Sequence, residues 1–202
     1  MKQHVRFPKL PTRPDTTQAA DGLPRRKWSA VEVERLLEAG ILRHGERFEL
    51  IGGELVAMAA KGPLHEDLKT ALNRRWIKMA PPEIMIAPET NFRIGDHDEP
   101  EPEFIVYPES IRRRDVRGPT VLLVVEIADS SLAHDHDIKG PRYAAAGVRD
   151  YWVIAARSLV TTVYREPQPD GFASRREVGP DEVLTPLLAP SLSLCLRDLD
   201  LA

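Results

Sequence analysis

The stretch VLLVVEIADSSLAHDHDIKGPRYAAAGVRDYWVI, residues 121–154, decides the fold. Its first part, VLLVVEIA (121–128), is nearly continuous in apolar character, as a central strand covered on both faces is. A second β-type run, YWVIAA (151–156), follows a helix-like segment containing Lys139, Arg142, Tyr143 and Ala144 to Ala146, which Gly147 ends. Strand, helix and strand in that order predict a mixed α/β sheet with one helix crossing between adjacent strands. Strand alternation places Leu122, Val124, Glu126 and Ala128 on one face and Val121, Leu123, Val125 and Ile127 on the other. Glu126 therefore points where its neighbours are aliphatic. A carboxylate there needs a basic partner or a metal ion to offset its desolvation. By itself it fits a structural salt bridge as well as a functional site.

Outward from this unit, further short β-type runs appear at IMIA (84–87), TNFRI (90–94), EFIVY (103–107) and LVTTVY (159–164), separated by prolines and charged loops. Upstream, Ser29 with Glu32 forms a capping box for a helix with Val33, Leu36 and Leu37 on its apolar face, ended by Gly40. FELI (48–51) and ELVAM (54–58) read as a hairpin around Gly52-Gly53. Leu64, Leu68, Ala71, Leu72, Trp76 and Met79 predict a helix over about 64–79, which Pro81-Pro82 stops. The leucine-containing tail after residue 180 is expected to pack as a strand or loop. Residues 1–27, with Pro8, Pro11, Pro14 and Pro24 among polar residues, read as a flexible arm. Residues 28–202 then form one domain. Arg25, Arg26 and Lys27 make the arm's end basic, which suits either a phosphate contact or an unstructured leader.

The chain has 202 residues, 42% hydrophobic and 29% charged, in the range of a single globular domain. Prolines number 18, about 9% against a usual ~5%. A net charge of -3 excludes a protein that coats nucleic acid by charge alone. No run reaches the ~20 apolar residues of a membrane span, and the start lacks a signal-peptide core, so the expected location is the cytoplasm without membrane attachment. The single cysteine, Cys195, excludes an intrachain disulfide and a cysteine-cluster zinc site.

DHDEPEPEF (96–104) is the second unusual feature. Pro100 and Pro102 keep it extended, and a strand beginning near Glu101 would put Glu101, Glu103 and Ile105 on one face. Alone it suits a solvated acidic loop. With Glu126 and a helix lysine it becomes the minimum kit for metal-assisted phosphodiester hydrolysis: oxygen ligands for Mg²⁺ and an ammonium to position water or stabilise charge. Asp135 and Lys139, spaced i, i+4, also fit an exposed helix pair. Tyr143 also fits the core. The HDHD run (134–137) and DHD run (96–98) do not converge on one helix face, which argues against zinc. Arg112, Arg113, Arg114 and Arg117 make a basic cluster that suits phosphate contact or a solvated loop.

EPEFIVYPE (101–109), VVEIADSSLAHDHDIKGPRYAAAGVRDYWVI (124–154) and FELIGGELVAMAAKGPLHEDL (48–68) together resemble the Uma-type restriction endonuclease family of the PD-(D/E)xK nuclease superfamily, over about residues 28–200. The resemblance implies a restriction-endonuclease-like fold, a mixed β-sheet flanked by helices, and an endodeoxyribonuclease using Mg²⁺ or Mn²⁺ on DNA. Glu103, after Pro102, falls where the family's first metal-binding Asp stands, and Glu126 at the second acidic position. Glu103 is one methylene longer than that Asp. Ala128 stands where the superfamily places its lysine, and Lys139 matches the lysine that replaces it in this family. Glu49 and His65 match family-typical positions, with a cross-pair in the hairpin and a helix-start role as their structural alternatives. A catalytically inactive nucleic-acid-binding or interaction module is the competing expectation, and a homodimer stays open.

Overall fold

The structure, a computed structural model, describes residues 25–43 and 45–201. The residues 1–24 of the expected arm lie outside the described residues. Arg25 bonds Glu54, Arg26 pairs with Glu32 and lies over the Trp28 ring at 4.0 Å, and Lys27 packs on Gly53.

Six strands form the central sheet in the order β3-β4-β5-β6-β7-β8: β3 Ile84–Pro88, β4 Phe104–Pro108, β5 Leu123–Ala128, β6 Asp150–Ala155, β7 Thr161–Gln168 and β8 Gly171–Val178. Only β5 and β6 pair in parallel. Their crossover carries a π-helical turn, His134–Lys139, continuing into α3, Gly140–Ala145. This is the predicted crossing unit. Parallel neighbours require such a connection, because a tight turn can only reverse the chain.

Two layers cover the sheet. On one face α2, Pro63–Met79, sets Leu68, Leu72 and Trp76 against Phe104, Val106, Leu123, Val125, Ile127 and Trp152, with the tail's Leu192, Leu194 and Leu196 in the same cluster. On the other, α3's Tyr143 meets Ile105, Val124, Ala128, Tyr151 and Val153. Alternation within β5 follows the sequence reading over Leu123–Ala128 but not before it. Val121 joins the Tyr143 side and Leu122 the α2 side, because the chain bends at Leu122, whose N–H bonds Val106 O at 2.7 Å, before the strand begins.

The capping box is present in α1, Ala30–Glu38, which packs on a separate hairpin of β1, Phe48–Ile51, and β2, Glu54–Ala57. That hairpin needs its two glycines: Gly52 and Gly53 have φ of 60° and 84°. TNFRI is not a strand. It runs as a loop whose Phe92 and Ile94 N–H groups bond Pro100 O and Asp98 O, so the acidic stretch supplies its partner and the sheet is left without it. Strand β8, unmarked in the sequence reading, pairs along β7 at the sheet edge. Its GFASRREV sequence is polar and exposed, and so lacks the apolar signal used to find strands. Leu64, read as part of α2's apolar face, is exposed, and His65 is buried in its stead. The tail forms β9, Val183–Leu184, and β10, Leu194–Cys195, an antiparallel pair.

Asp150, fully buried at the start of β6, fastens this tail. It accepts from Arg165 Nε (3.0 Å), Trp152 Nε1 (3.0 Å) and the Leu187 N–H (2.6 Å). Removing the carboxylate takes the anionic partner from Arg165, which keeps only the Thr185 carbonyl, and leaves the Trp152 and Leu187 N–H groups unmatched. Asp150→Ala is expected to lose about 3 kcal/mol of stability in urea unfolding followed by far-UV circular dichroism. A loss below about 1 kcal/mol would mean that the tail is held by its leucines alone.

Candidate active site

Glu126 lies within β5, where β6 pairs its backbone opposite Val153, and its side chain is buried on the α3 side of the sheet. Glu103 immediately precedes β4. The β4–β5 register pairs Phe104 with Val125, so one further step sets Glu103 across from Glu126 on the same face. The two carboxylates singled out in the sequence are thus cross-strand neighbours. The strand begins at Phe104 rather than near Glu101, and Pro100 and Pro102 precede it.

Lys139, at the end of the π-helical turn, reaches back over the sheet. Its Nζ lies 3.0 Å from Glu126 Oε1, 2.8 Å from Glu49 Oε1 and 3.7 Å from Asp135 Oδ1. Asp135 and Lys139 are both buried, so the exposed helix pair is not what forms. The wider π turn, followed by Pro141 within α3's first turn, turns these residues toward β5 as the helix starts. Tyr143, one turn on, is buried and donates its hydroxyl to the same Glu126 oxygen at 3.0 Å. Among the described residues nothing bonds Glu126 Oε2, which leaves that oxygen available to a ligand. Asp135 accepts from Ser131 Oγ at 2.7 Å, and Glu49 accepts from the Glu101 N–H at 2.7 Å.

Glu103 is held from the other side. His65, in the first turn of α2, donates through Nε2 to Glu103 Oε1 at 2.9 Å, while its Nδ1 has no hydrogen-bond partner and lies 3.4 Å from Glu66. Lys61, in the loop between β2 and α2, bonds both Glu103 oxygens at 2.8 and 3.0 Å. Sequence reasoning missed Lys61, since a lone lysine in a run of small residues carries no pattern. Glu49, Lys61, His65, Glu103, Glu126, Asp135 and Lys139 all line one cavity of about 290 Å³, together with Asp129 and Ser131.

Electrostatics follow from burial and this crowding. Burial pushes the Glu126 carboxyl well up, against the pull of Lys139, and the neighbouring Asp135 and Glu49 charges add to the rise. Asp135 is raised for the same first reason. Burial pushes Lys139 down, but the carboxylates of Glu126, Glu49 and Asp135 outweigh it and raise the ammonium above its usual range. Burial pushes Glu103 up, yet the bonds from His65 and Lys61 bring it below the usual carboxylate value. The Tyr143 hydroxyl is raised by burial and by Glu126, and stays protonated.

The donor set suits a hard divalent cation: carboxylate oxygens from two adjacent strands with further carboxylates behind them. Among the described residues no three His, Cys, Asp or Glu groups already converge as a metal cage. The HDHD and DHD runs hold none either. Asp98 instead accepts from the Gly52 N–H and Arg142 Nε, fastening the hairpin to α3. The arginine cluster stays outside the cavity: Arg112 pairs with Asp115, Arg113 bonds Thr90 and the Asn91 carbonyl, and Arg114 is exposed.

The six-stranded mixed sheet with helices on both faces is a nuclease-like α/β fold. The sequence matches the Uma2 family, described as "Putative restriction endonuclease", over residues 31–201, and the chain belongs to that family. Its fold is similar to that of a putative nuclease of DUF820 from Anabaena variabilis, with a TM-score of 0.59 and 17% identity, covering 75% of this chain and 88% of that one. No curated protein matches it in sequence. Among the described residues no helix is long and apolar enough to cross a membrane.

Among the described residues Lys139 is the one ammonium within reach of three buried carboxylates. Lys139→Met is therefore expected to lose about 3 kcal/mol at pH 7. The raised carboxyls take up protons in the folded state before the unfolded chain does, so stability falls as pH rises above about 4.5 and returns on acidification. Thermal unfolding between pH 5 and 8 checks this: the deficit relative to wild type narrows toward the acid end, and a pH-independent deficit contradicts it.

Proposed function

We propose that this protein is a metal-dependent endodeoxyribonuclease that hydrolyses DNA phosphodiester bonds with Mg²⁺ or Mn²⁺. The observation that carries the reading is the cross-strand pair Glu103 and Glu126 with Lys139 on the same cavity, in a chain of the restriction endonuclease family. Glu103 and Glu126 would hold the ion, with Glu126 Oε2 the oxygen already free of other partners. When bound, the ion supplies a more acidic water and neutralises charge on the phosphate.

The rest falls to the chain. Lys139 keeps its proton, so its role is that of a donor: it orients the attacking water and stabilises charge as that builds on the phosphate oxygens. A base would need a lowered value, and the three carboxylates drive it the other way. Tyr143 and Glu49 fix the rotamers of Glu126 and Lys139 from behind. His65 fixes Glu103. The sheet backbone holds the carboxylates and the crossover helix holds the lysine, which keeps the constellation on rigid elements.

The test is nicking of supercoiled plasmid, with linear and single-stranded DNA alongside, in Mg²⁺ or Mn²⁺. Wild type is expected to cleave, chelator to stop it, and Glu126→Ala to lower the rate at least about 100-fold. Equal rates in both proteins, or no cleavage by wild type on any of the substrates, would reject the reading and favour a non-catalytic module on the same fold.

A further inference from the structure

Lys61 contacts none of the carboxylates that surround Lys139, yet it occupies both oxygens of Glu103. A carboxylate gripped in this way has no free oxygen on which to receive a cation. The same ammonium lies 2.6 Å from Glu89 Oε1. Glu89 follows β3 directly, and its N–H bonds the Glu103 carbonyl at 3.1 Å, so the backbone ties the two residues together. It sits at φ 43°, in the left-handed region that a residue with a side chain adopts only under constraint. Lys69 on α2 bonds the same Glu89 oxygen at 2.8 Å. Burial pushes the Glu89 carboxyl up, but the two ammoniums outweigh it and hold it down to about 2, so it is a permanent anion beside the site.

We propose that Lys61 is a resident counter-cation of Glu103, and that a divalent ion enters the site by displacing its ammonium onto Glu89. The inference rests on the metal-site reading above. Lys61 already spans both carboxylates, so the exchange needs one side chain to give up one partner and keep the other. No proton moves and no bond other than hydrogen bonds changes. Glu89 is then a positioning residue acting through Lys61: it determines how readily Glu103 becomes available. The strained backbone at Glu89 fits this task, because it turns the carboxylate to Lys61 at the end of a β-strand.

Calorimetric titration of the full chain with Mn²⁺ alone, without DNA, tests the exchange, with thermal unfolding confirming that each variant folds. Removing the competitor in Lys61→Met is expected to tighten Mn²⁺ binding about tenfold, and Lys61→Arg, which keeps a cation there, to bind within about threefold of wild type. Glu89→Gln is expected to weaken binding about tenfold, and this effect is expected to vanish in the Lys61→Met background if Glu89 acts through the lysine. A purely structural lysine predicts the opposite sign, since its loss would disorder Glu103 and weaken binding. Lys61→Met binding equal to or weaker than wild type therefore overturns the exchange. So does an undiminished Glu89 effect in the double variant. Glu126→Gln separates the two readings: Mn²⁺ binding that depends on Glu126 but ignores Lys61 keeps the metal site and rejects the exchange. Binding by Lys61→Met where wild type shows none supports the exchange. No binding by either protein rejects both.

Discussion

Everything about this site depends on one buried ion pair, Glu126 with Lys139. A carboxylate in the middle of a central strand is compatible with the fold only because the chain returns an ammonium to it 13 residues later. The parallel pairing of β5 and β6 makes that return possible. The obligatory crossover passes over the same sheet face on which Glu126 points, and the π-helical turn ends with Lys139 directed inward. Tyr143 completes the arrangement from the next turn. A tight hairpin between β5 and β6 would have left no element on that face to supply either group.

The second carboxylate follows from register. Because β4 runs antiparallel to β5 and starts one residue after Glu103, that side chain lies beside Glu126 without any long-range search. Like charges placed so close repel, and the protein answers with a separate ammonium for each: Lys139 for Glu126 and Lys61 for Glu103, which His65 also hydrogen-bonds. The cavity therefore gathers several carboxylates, each ammonium shared between more than one of them.

The legibility of the fold varied with burial. Strands covered on both faces, β5 and β6, announce themselves by continuous apolar runs, and α1, the hairpin and α2 by caps, a two-glycine turn and helical spacing. Edge strand β8 has no such run, because most of its side chains face water, and TNFRI has the composition of a strand but finds its backbone partners in a loop. The bend at Leu122 similarly breaks an alternation that is regular on paper. In the site, Glu126 and Glu103 were visible as charges set among apolar or proline-bound residues, and Lys139 by its match to the family's lysine. Lys61 and Glu89 were not, since neither violates its surroundings in sequence and both gain meaning only through proximity to Glu103.

By itself the sequence determined the strand–helix–strand core, the family, and which two acidic residues must be reconciled with burial, because these depend on local period and composition. Tertiary structure alone decided how each acid is compensated. The distance from Lys61 to Glu103 spans 42 residues of chain and that from Lys139 to Glu49 spans 90, and closure over such separations is set by sheet register and helix placement rather than by any local preference.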